Sequence, residues 1–317
     1  MRVLIGGASG MIGGAVVRLL TGRGHETHRL VRAGGAASGG GERAANAGGA
    51  GATAAAGVPW DPDRGILDPA ALRGFDAVVH FGGVSIASGR WTVERKQAIL
   101  ESRVRSTLLL AERIAATPAA ERPRAFVVAS ASGYYGNRGE EPLPETAAPG
   151  EGFLADVCRA WEEAASPAAR AGTRVAHARI GMVIAREGGA LDAMLLPFRL
   201  GLGGPLGNGR QWWPWISLDD VAGVFARLVE DEAIDGAVNA VAPEPVTCAA
   251  FARALGKALH RPAIFPAPAF ALRLLLGEMA DALLLASTKA VPERLARAGF
   301  TFRHPRLDDA LRAALAG

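Results

Sequence analysis

The chain begins Met1-Arg2-Val3-Leu4-Ile5-Gly6-Gly7-Ala8-Ser9-Gly10-Met11-Ile12-Gly13. An apolar run too short for anything but a strand meets a glycine-rich turn, and Gly14 to Leu20 continues with helical spacing. This order of strand, glycines and helix is what gives a glycine motif its meaning. Gly7 permits the tight turn, and Gly10 lets backbone N–H groups approach a pyrophosphate with no Cβ in the way. Gly13 lets the helix lie close on the strand. The helix N-terminus then offers its positive dipole end to the phosphates. Dinucleotide binding is expected at Gly7, Ser9, Gly10, Met11, Ile12 and Gly13. Glycine is abundant (41 residues), so the position and spacing carry this reading rather than the residue type.

Further along, Glu26 to Val31 reads as a second strand ending at Arg32. Residues 33–57 are almost entirely Ala, Gly and Ser, with too little bulk to pack; a mobile loop or a poorly packed helix is expected. Asp76 to Phe81 is a buried strand running into Gly82-Gly83, and a long amphipathic helix follows around Thr92 to Ala116. Ala125 to Ala129 is a strand delivering Ser130 to its C-terminal end; Ala155 to Ala165 is helical, and Arg174 to Ile184 is another strand. Strands alternating with helices predict an α/β fold, a Rossmann-type doubly wound parallel sheet. In such sheets ligands gather at the carboxyl ends of the strands, where Gly7, Arg32, Gly82, Gly83 and Ser130 all fall.

From residue 185 the rhythm changes. A glycine-rich loop (201–207) precedes Arg210-Gln211-Trp212-Trp213-Pro214-Trp215, and Asp219-Asp220 are placed to cap a helix from Val221 to Glu230. Residues 1–184 are assigned to the cofactor domain, with 216–242 returning to it. Residues 185–317 mainly form a smaller α+β substrate lobe.

Composition narrows the class. Half of the 317 residues are hydrophobic, enough for a sizeable core, and the formal charge is a mild +4 with no Lys/Arg run suited to nucleic acid. Two distant cysteines, Cys158 and Cys248, exclude a disulfide framework or a C-x-x-C metal site. No metal is expected. The start carries no signal-peptide pattern. The apolar stretch Ile264 to Ala286 is interrupted by Pro266, Pro268, Arg273, Glu278 and Asp281, which predicts a buried or interface helix pair rather than a span. A cytoplasmic monomer or homodimer with a small-molecule substrate, and no nucleic-acid or membrane partner, is expected.

These residues together resemble the extended short-chain dehydrogenase/reductases, the sugar-nucleotide epimerase and dehydratase superfamily. More narrowly, they resemble its atypical bacterial branch of epimerases with unknown substrate. The segments that carry the likeness are Gly7 to Gly13, Arg90-Trp91-Thr92 with Arg95-Lys96, Ser102-Arg103-Val104 with Thr107, Gly133-Tyr134-Tyr135-Gly136, and Gly201 through Asp220. Pro268 to Leu315 resembles the tail domain of that branch, so 268–317 is set apart within the lobe. An acid at the end of the second strand holds the ribose of NAD, and an Arg holds the 2′-phosphate of NADP. Here the strand ends Leu30-Val31-Arg32, so NADP is expected rather than NAD.

The resemblance implies a catalytic Ser, and a Tyr and Lys four residues apart on the next helix. Ser130 fits the serine, with Ser132 the weaker candidate, but Leu154 stands at the Tyr position and Cys158 at the Lys position. Arg103 stands where the superfamily has Asn, and is a candidate replacement for the missing cation. The only two tyrosines, Tyr134 and Tyr135, are candidate proton donors beside a substrate-bound water. The superfamily's diphosphate-gripping Arg is Trp213 here, an apolar wall with one N–H donor, though Arg210 is near enough in sequence to reach a phosphate. Trp213, Arg210 and Ser132 are the expected substrate contacts. Two readings stay open: an NADP-dependent oxidoreductase or epimerase, and a non-catalytic NADP-binding redox sensor or scaffold.

Overall fold

The computed structural model describes residues 1–32 and 57–316; the expectation for the Gly/Ala-rich stretch therefore lies outside the described residues, except at Gly57. The first half runs β1 (Arg2–Gly6), α1 (Met11–Gly22), β2 (Glu26–Arg32), β3 (Val58–Trp60), β4 (Ala77–His80), α2 (Val93–Ala116) and β5 (Ala125–Ala131). It continues with β6 (Pro142–Leu143), α3 (Phe153–Glu163), α4 (Ser166–Arg170), β7 (Arg174–Ile180) and β8 (Met182–Ile184). The second half has α5 (Gly189–Arg199), β9 (Trp212–Trp213), β10 (Trp215–Ser217), α6 (Leu218–Glu230), β11 (Gly236–Ala240) and β12 (Val246–Thr247). It ends in α7 (Cys248–Leu259), α8 (Ala269–Leu276), β13 (Lys289–Ala290), α9 (Glu293–Arg297) and α10 (Leu307–Ala316).

Seven strands form one parallel sheet in the order β11-β7-β5-β4-β1-β2-β3. Val3-Leu4-Ile5, Ala77-Val78-Val79 and Phe126-Val127-Val128 are fully or nearly fully buried, as strands covered on both faces must be. From β1 the chain steps one way to β2, and from β4 the other way to β5. Right-handed crossovers therefore put α1 and α2 on opposite faces. The strand order reverses between β1 and β4, the point at which sheets of this kind form a ligand-binding crevice. β11 returns to the sheet beside β7, and α6 packs against α1.

A second core lies beyond the sheet, where Ile184, Leu191, Leu195, Phe198, Trp213, Trp215, Phe251, Leu255, Leu307 and Leu311 pack together. It belongs to a lobe that takes α5, α7 and α10, elements the sequence patterning did not resolve.

Several expectations need correction. The strand expected over 174–184 breaks at Gly181, where a Cβ would lie 2.7 Å from the Pro214 carbonyl oxygen; β8 then pairs with β10 instead. The α6 cap is Ser217, whose hydroxyl accepts from the Asp220 N–H at 3.0 Å. Asp220 is instead a buried acceptor for the backbone N–H groups of Arg303 and His304. The apolar stretch after Ile264 is not a buried helix pair: α8 has no buried residue, and a π-helical turn (Ala280–Leu285) follows it. No helix among the described residues is long and apolar enough to cross a membrane.

Candidate functional site

The crevice is walled by the turns after β1, β4 and β5. Gly10 caps α1 without any side-chain hydrogen bond, and the first turn holds no acid, so the leading N–H groups have no anionic competitor. Two of the glycines are fixed by packing. A Cβ on Gly7, whose φ is +81°, would lie 2.4 Å from the Phe81 carbonyl oxygen, and one on Gly13 would lie 2.2 Å from the Gly7 oxygen. Gly10 is different, since its nearest neighbour would be 3.4 Å from a Cβ and the residue is exposed. Ser9 is exposed beside it, while Met11 and Ile12 are half-buried. Such an uncapped N-terminus over an open glycine turn fits a diphosphate.

Arg32 ends β2 exposed, with Nη1 donating to Asp63 Oδ2 at 3.0 Å. An anion binding at Arg32 competes with that carboxylate. Below the turn, His80 is wedged between Gly6 and Gly82, whose added Cβ atoms would lie 2.7 and 2.2 Å from its ring nitrogens. His80 Nε2 is 2.9 Å from Ser106 Oγ, and that hydroxyl donates to the Ser102 carbonyl, so the imidazole is the donor in the pair. Burial first, and the Arg32 charge second, lower the His80 pKa to about 3. Ser102 Oγ in turn accepts from the Val84 N–H, which ties the Gly82–Val84 turn to α2.

Arg103 lies over that turn: a Cβ on Gly83 would be 2.7 Å from its guanidinium carbon. The guanidinium stacks 5.1 Å from the Trp161 ring centroid, and Nη1 donates to the Ile99 carbonyl at 2.9 Å. Burial lowers its pKa. Cys158 is buried, with its thiol 3.6 Å from the Ala131 carbonyl oxygen. Burial and the Glu162 charge push its pKa up to about 12, outweighing Arg103. Cys158 is a neutral thiol at physiological pH and not a substitute cation. Leu154 packs with its Cβ 3.2 Å from where a Gly133 Cβ would stand, so the Tyr slot is an apolar contact against the 132–135 turn.

Ser130 does not end its strand; β5 runs on to Ala131 and turns at Ser132. Ser130 is 2 % exposed and donates to Glu162 Oε1 at 2.7 Å. It faces Arg179 across the β5–β7 register. Arg179 grips Glu162 with two bonds of 2.9 Å, Nε to Oε1 and Nη2 to Oε2. Its Nη1 donates to the Tyr135 hydroxyl at 2.9 Å and to the Glu145 carbonyl at 3.2 Å, and its guanidinium carbon lies 3.4 Å from the Tyr134 ring centroid. Burial opposes the charge on Arg179, but the bonds and attraction to Glu162, together with Tyr135, push its pKa up.

Tyr135 is fully buried and donates to Asn239 Oδ1 at 2.7 Å, so its hydroxyl is committed inside the fold. Burial raises its pKa. Tyr134 is half-buried and borders a cavity of about 410 Å³ with Glu162, Arg159 and His177. Ser132 is half-buried at the start of the turn. Trp213 is 6 % exposed, its ring 5.5 Å from Phe251 and its indole N–H donating to the Leu284 carbonyl at 3.2 Å; it braces the lobe. Arg210 is exposed and has no carboxylate partner among the described residues. Glu162, Arg179, Glu145 and Asn239 escaped the sequence reading. Their signal was Arg179 near the end of strand 174–180 (Arg174-Val175-Ala176-His177-Ala178-Arg179-Ile180), a charge that demands a partner in a sheet buried on both faces.

This crevice, sheet and lobe define a nucleotide-binding α/β protein of the short-chain dehydrogenase type. The pattern of the NAD dependent epimerase/dehydratase family matches residues 3–240, and a domain of unknown function, DUF1731, matches 267–314. The chain belongs to that epimerase/dehydratase family. An epimerase family protein of Mycobacterium leprae is 39% identical over 98% of this chain and 94% of its own length. The solved structure of human epimerase family protein SDR39U1 (isoform 2) with NADPH is 33% identical, with a TM-score of 0.85 over 100% of both chains. A nucleoside-diphosphate sugar epimerase from Corynebacterium glutamicum is 32% identical, with a TM-score of 0.75 over 99% of this chain and 58% of that one.

Proposed function

We propose that the chain is an NADP-dependent oxidoreductase or epimerase of the atypical extended class, with NADP in the crevice between the β1 and β4 turns. The observation that carries the cofactor assignment is the uncapped, acid-free N-terminus of α1 over the open Gly10 turn, with Arg32 at the end of β2. The human relative's crystallisation with NADPH supports it. Gly7, Ser9, Gly10, Met11, Ile12 and Gly13 would hold the diphosphate, Arg32 the 2′-phosphate, and Gly82 and Gly83 the opposite wall. When bound, the cofactor supplies hydride chemistry.

Arg103 holds a positive charge over Gly83, beside the slot where the family's lysine is replaced by Cys158. Ser130 is spent on Glu162, which moves the carbonyl-orienting task to Ser132 at the turn. Tyr134, whose ring rests on Arg179, or a substrate-bound water is left for the proton. The lobe, 185–317, would close on a small-molecule substrate. A second reading, a non-catalytic NADP-binding sensor or scaffold, draws on the apolar Leu154 and the neutral Cys158 thiol.

Two measurements test this. Arg32→Ala should weaken NADPH much more than NADH, and Asp63→Asn should tighten NADPH by freeing Arg32; equal effects on both cofactors would remove the 2′-phosphate assignment. NADPH oxidation across a panel of carbonyl compounds that falls in Ser132→Ala but persists in Cys158→Ala supports the enzyme. Binding without turnover of any compound favours the sensor.

A further inference from the structure

The tail carries an apolar surface that nothing in the described chain covers. On α8, Phe270, Leu274 and Leu275 are 72%, 78% and 70% exposed. Ile264 and Phe265, just before the helix, and Leu196, Leu200 and Leu202, at the end of α5, are also more than half exposed. These stretches adjoin. The Phe265 N–H donates to the Gly203 carbonyl at 3.1 Å, and the Arg261 Nε donates to the Arg199 carbonyl at 3.0 Å. The helix is held in place, since Arg90 Nη2 donates to the Leu274 carbonyl at 2.7 Å and Lys96 pairs with Glu278 at 2.9 Å. Its apolar side is therefore displayed by a fixed scaffold. Exposed apolar area on this scale marks a contact surface.

The charge of the face narrows what it meets. The sequence has no Asp or Glu from Ala193 to Leu218, nor from Pro245 to Gly277. Arg90, Arg199 and Arg261 border the apolar residues and have no carboxylate partner among the described residues, whereas Arg273 is neutralised by Asp281. A second copy meeting this face about a two-fold axis would set the same unpaired arginines against each other, since the bordering acids Glu278 and Asp281 are already held by Lys96 and Arg273. An anionic lipid surface answers both features, with acyl chains for the apolar residues and phosphates for the arginines.

We propose that this face is a peripheral docking surface for anionic bilayers, with Phe265, Phe270 and Leu274 entering the headgroup boundary and Arg90, Arg199 and Arg261 meeting lipid phosphates. Lying on a membrane is a different physical claim from spanning it. The proposal is independent of the reaction in the crevice.

Sedimentation of the full chain with phosphatidylcholine vesicles, with and without roughly 30 mol % phosphatidylserine, tests it. Binding should require the anionic lipid and weaken with salt. The Phe270→Glu/Leu274→Glu pair and the Arg199→Glu/Arg261→Glu pair should each lower partitioning by at least about thirtyfold. These side chains are exposed, so unchanged circular dichroism and NADPH binding will establish that the variants fold. No preference for anionic vesicles overturns the proposal. So does a concentration-dependent dimer, seen by light scattering, that the Phe270→Glu/Leu274→Glu pair dissolves, or capture of an acidic polypeptide in place of vesicles.

Discussion

Replacing Arg179 with Met probes the polar cluster under the candidate catalytic turn. The variant keeps a long side chain but removes the two-pronged grip on Glu162, the donor to Tyr135 and the cation beneath Tyr134. Glu162, with a side chain only 13% exposed, is left with Ser130 as its remaining partner. Breaking a buried pair on one side costs about 3–5 kcal/mol, because an uncompensated charge remains. Arg179→Met/Glu162→Leu removes that charge and should recover much of the loss. A residue of about 1–3 kcal/mol should persist for the Ser130 hydroxyl, now without an acceptor. Urea unfolding followed by near-ultraviolet circular dichroism reads all three proteins. If the single variant costs under about 1 kcal/mol, or the double variant is worse than the single, the cluster is not the coupled unit described.

Other outcomes follow from the same geometry. Gly10→Ala has room for its methyl and should change stability by less than about 1 kcal/mol while weakening NADPH, whereas Gly13→Ala should damage both; calorimetry and titration separate the cases. Cys158 and Cys248, with pKa values raised to about 12 and about 11 by burial, should resist an aromatic disulfide reagent at pH 8 in the native protein and react once it is unfolded. His80 has a folded pKa near 3 and an unfolded value near 6.5, so its contribution is fully present above 6.5 and is lost as pH falls from there toward 3. The slope approaches about 1.4 kcal/mol per pH unit within that window, and His80→Asn should flatten it in acid titrations of stability. In Tyr134→Phe the one remaining phenol, Tyr135, should ionise above its ordinary value of 10; stability is then lost as pH rises past 10, and absorbance near 295 nm follows the titration.

The sheet was largely legible because its strands are short apolar runs punctuated by glycine, with helical periods between them. The glycine turn was legible from its spacing after the first strand: Gly13 answers to the local Gly7 backbone, although what crowds Gly7 is the distant Phe81 carbonyl. What the sequence hid was non-local. Ser130 reads as a strand-end serine until β5 runs one residue further and Arg179 faces it across the register. Trp213 reads as a ligand wall until its indole finds Leu284, 71 residues away. Periodicity also missed α5, which begins at two glycines and contains Pro197, both poor helix signals.

Glu145 has a consequence for how the gene product can be divided. Its carboxylate takes the backbone N–H of Asn239, on the last strand of the sheet, and that of Arg294, deep in the C-terminal segment. Asp220 likewise receives Arg303 and His304, and the Asn239 amide reaches the Val291 carbonyl. The boundary that the family match draws at residue 267 is thus not a seam of folding. A fragment ending there would leave two buried carboxylates and an amide each short of backbone partners in the interior of what looks like a complete cofactor domain. Shuffling or trimming at that seam should yield insoluble protein, even though the excised piece contains none of the nucleotide cradle.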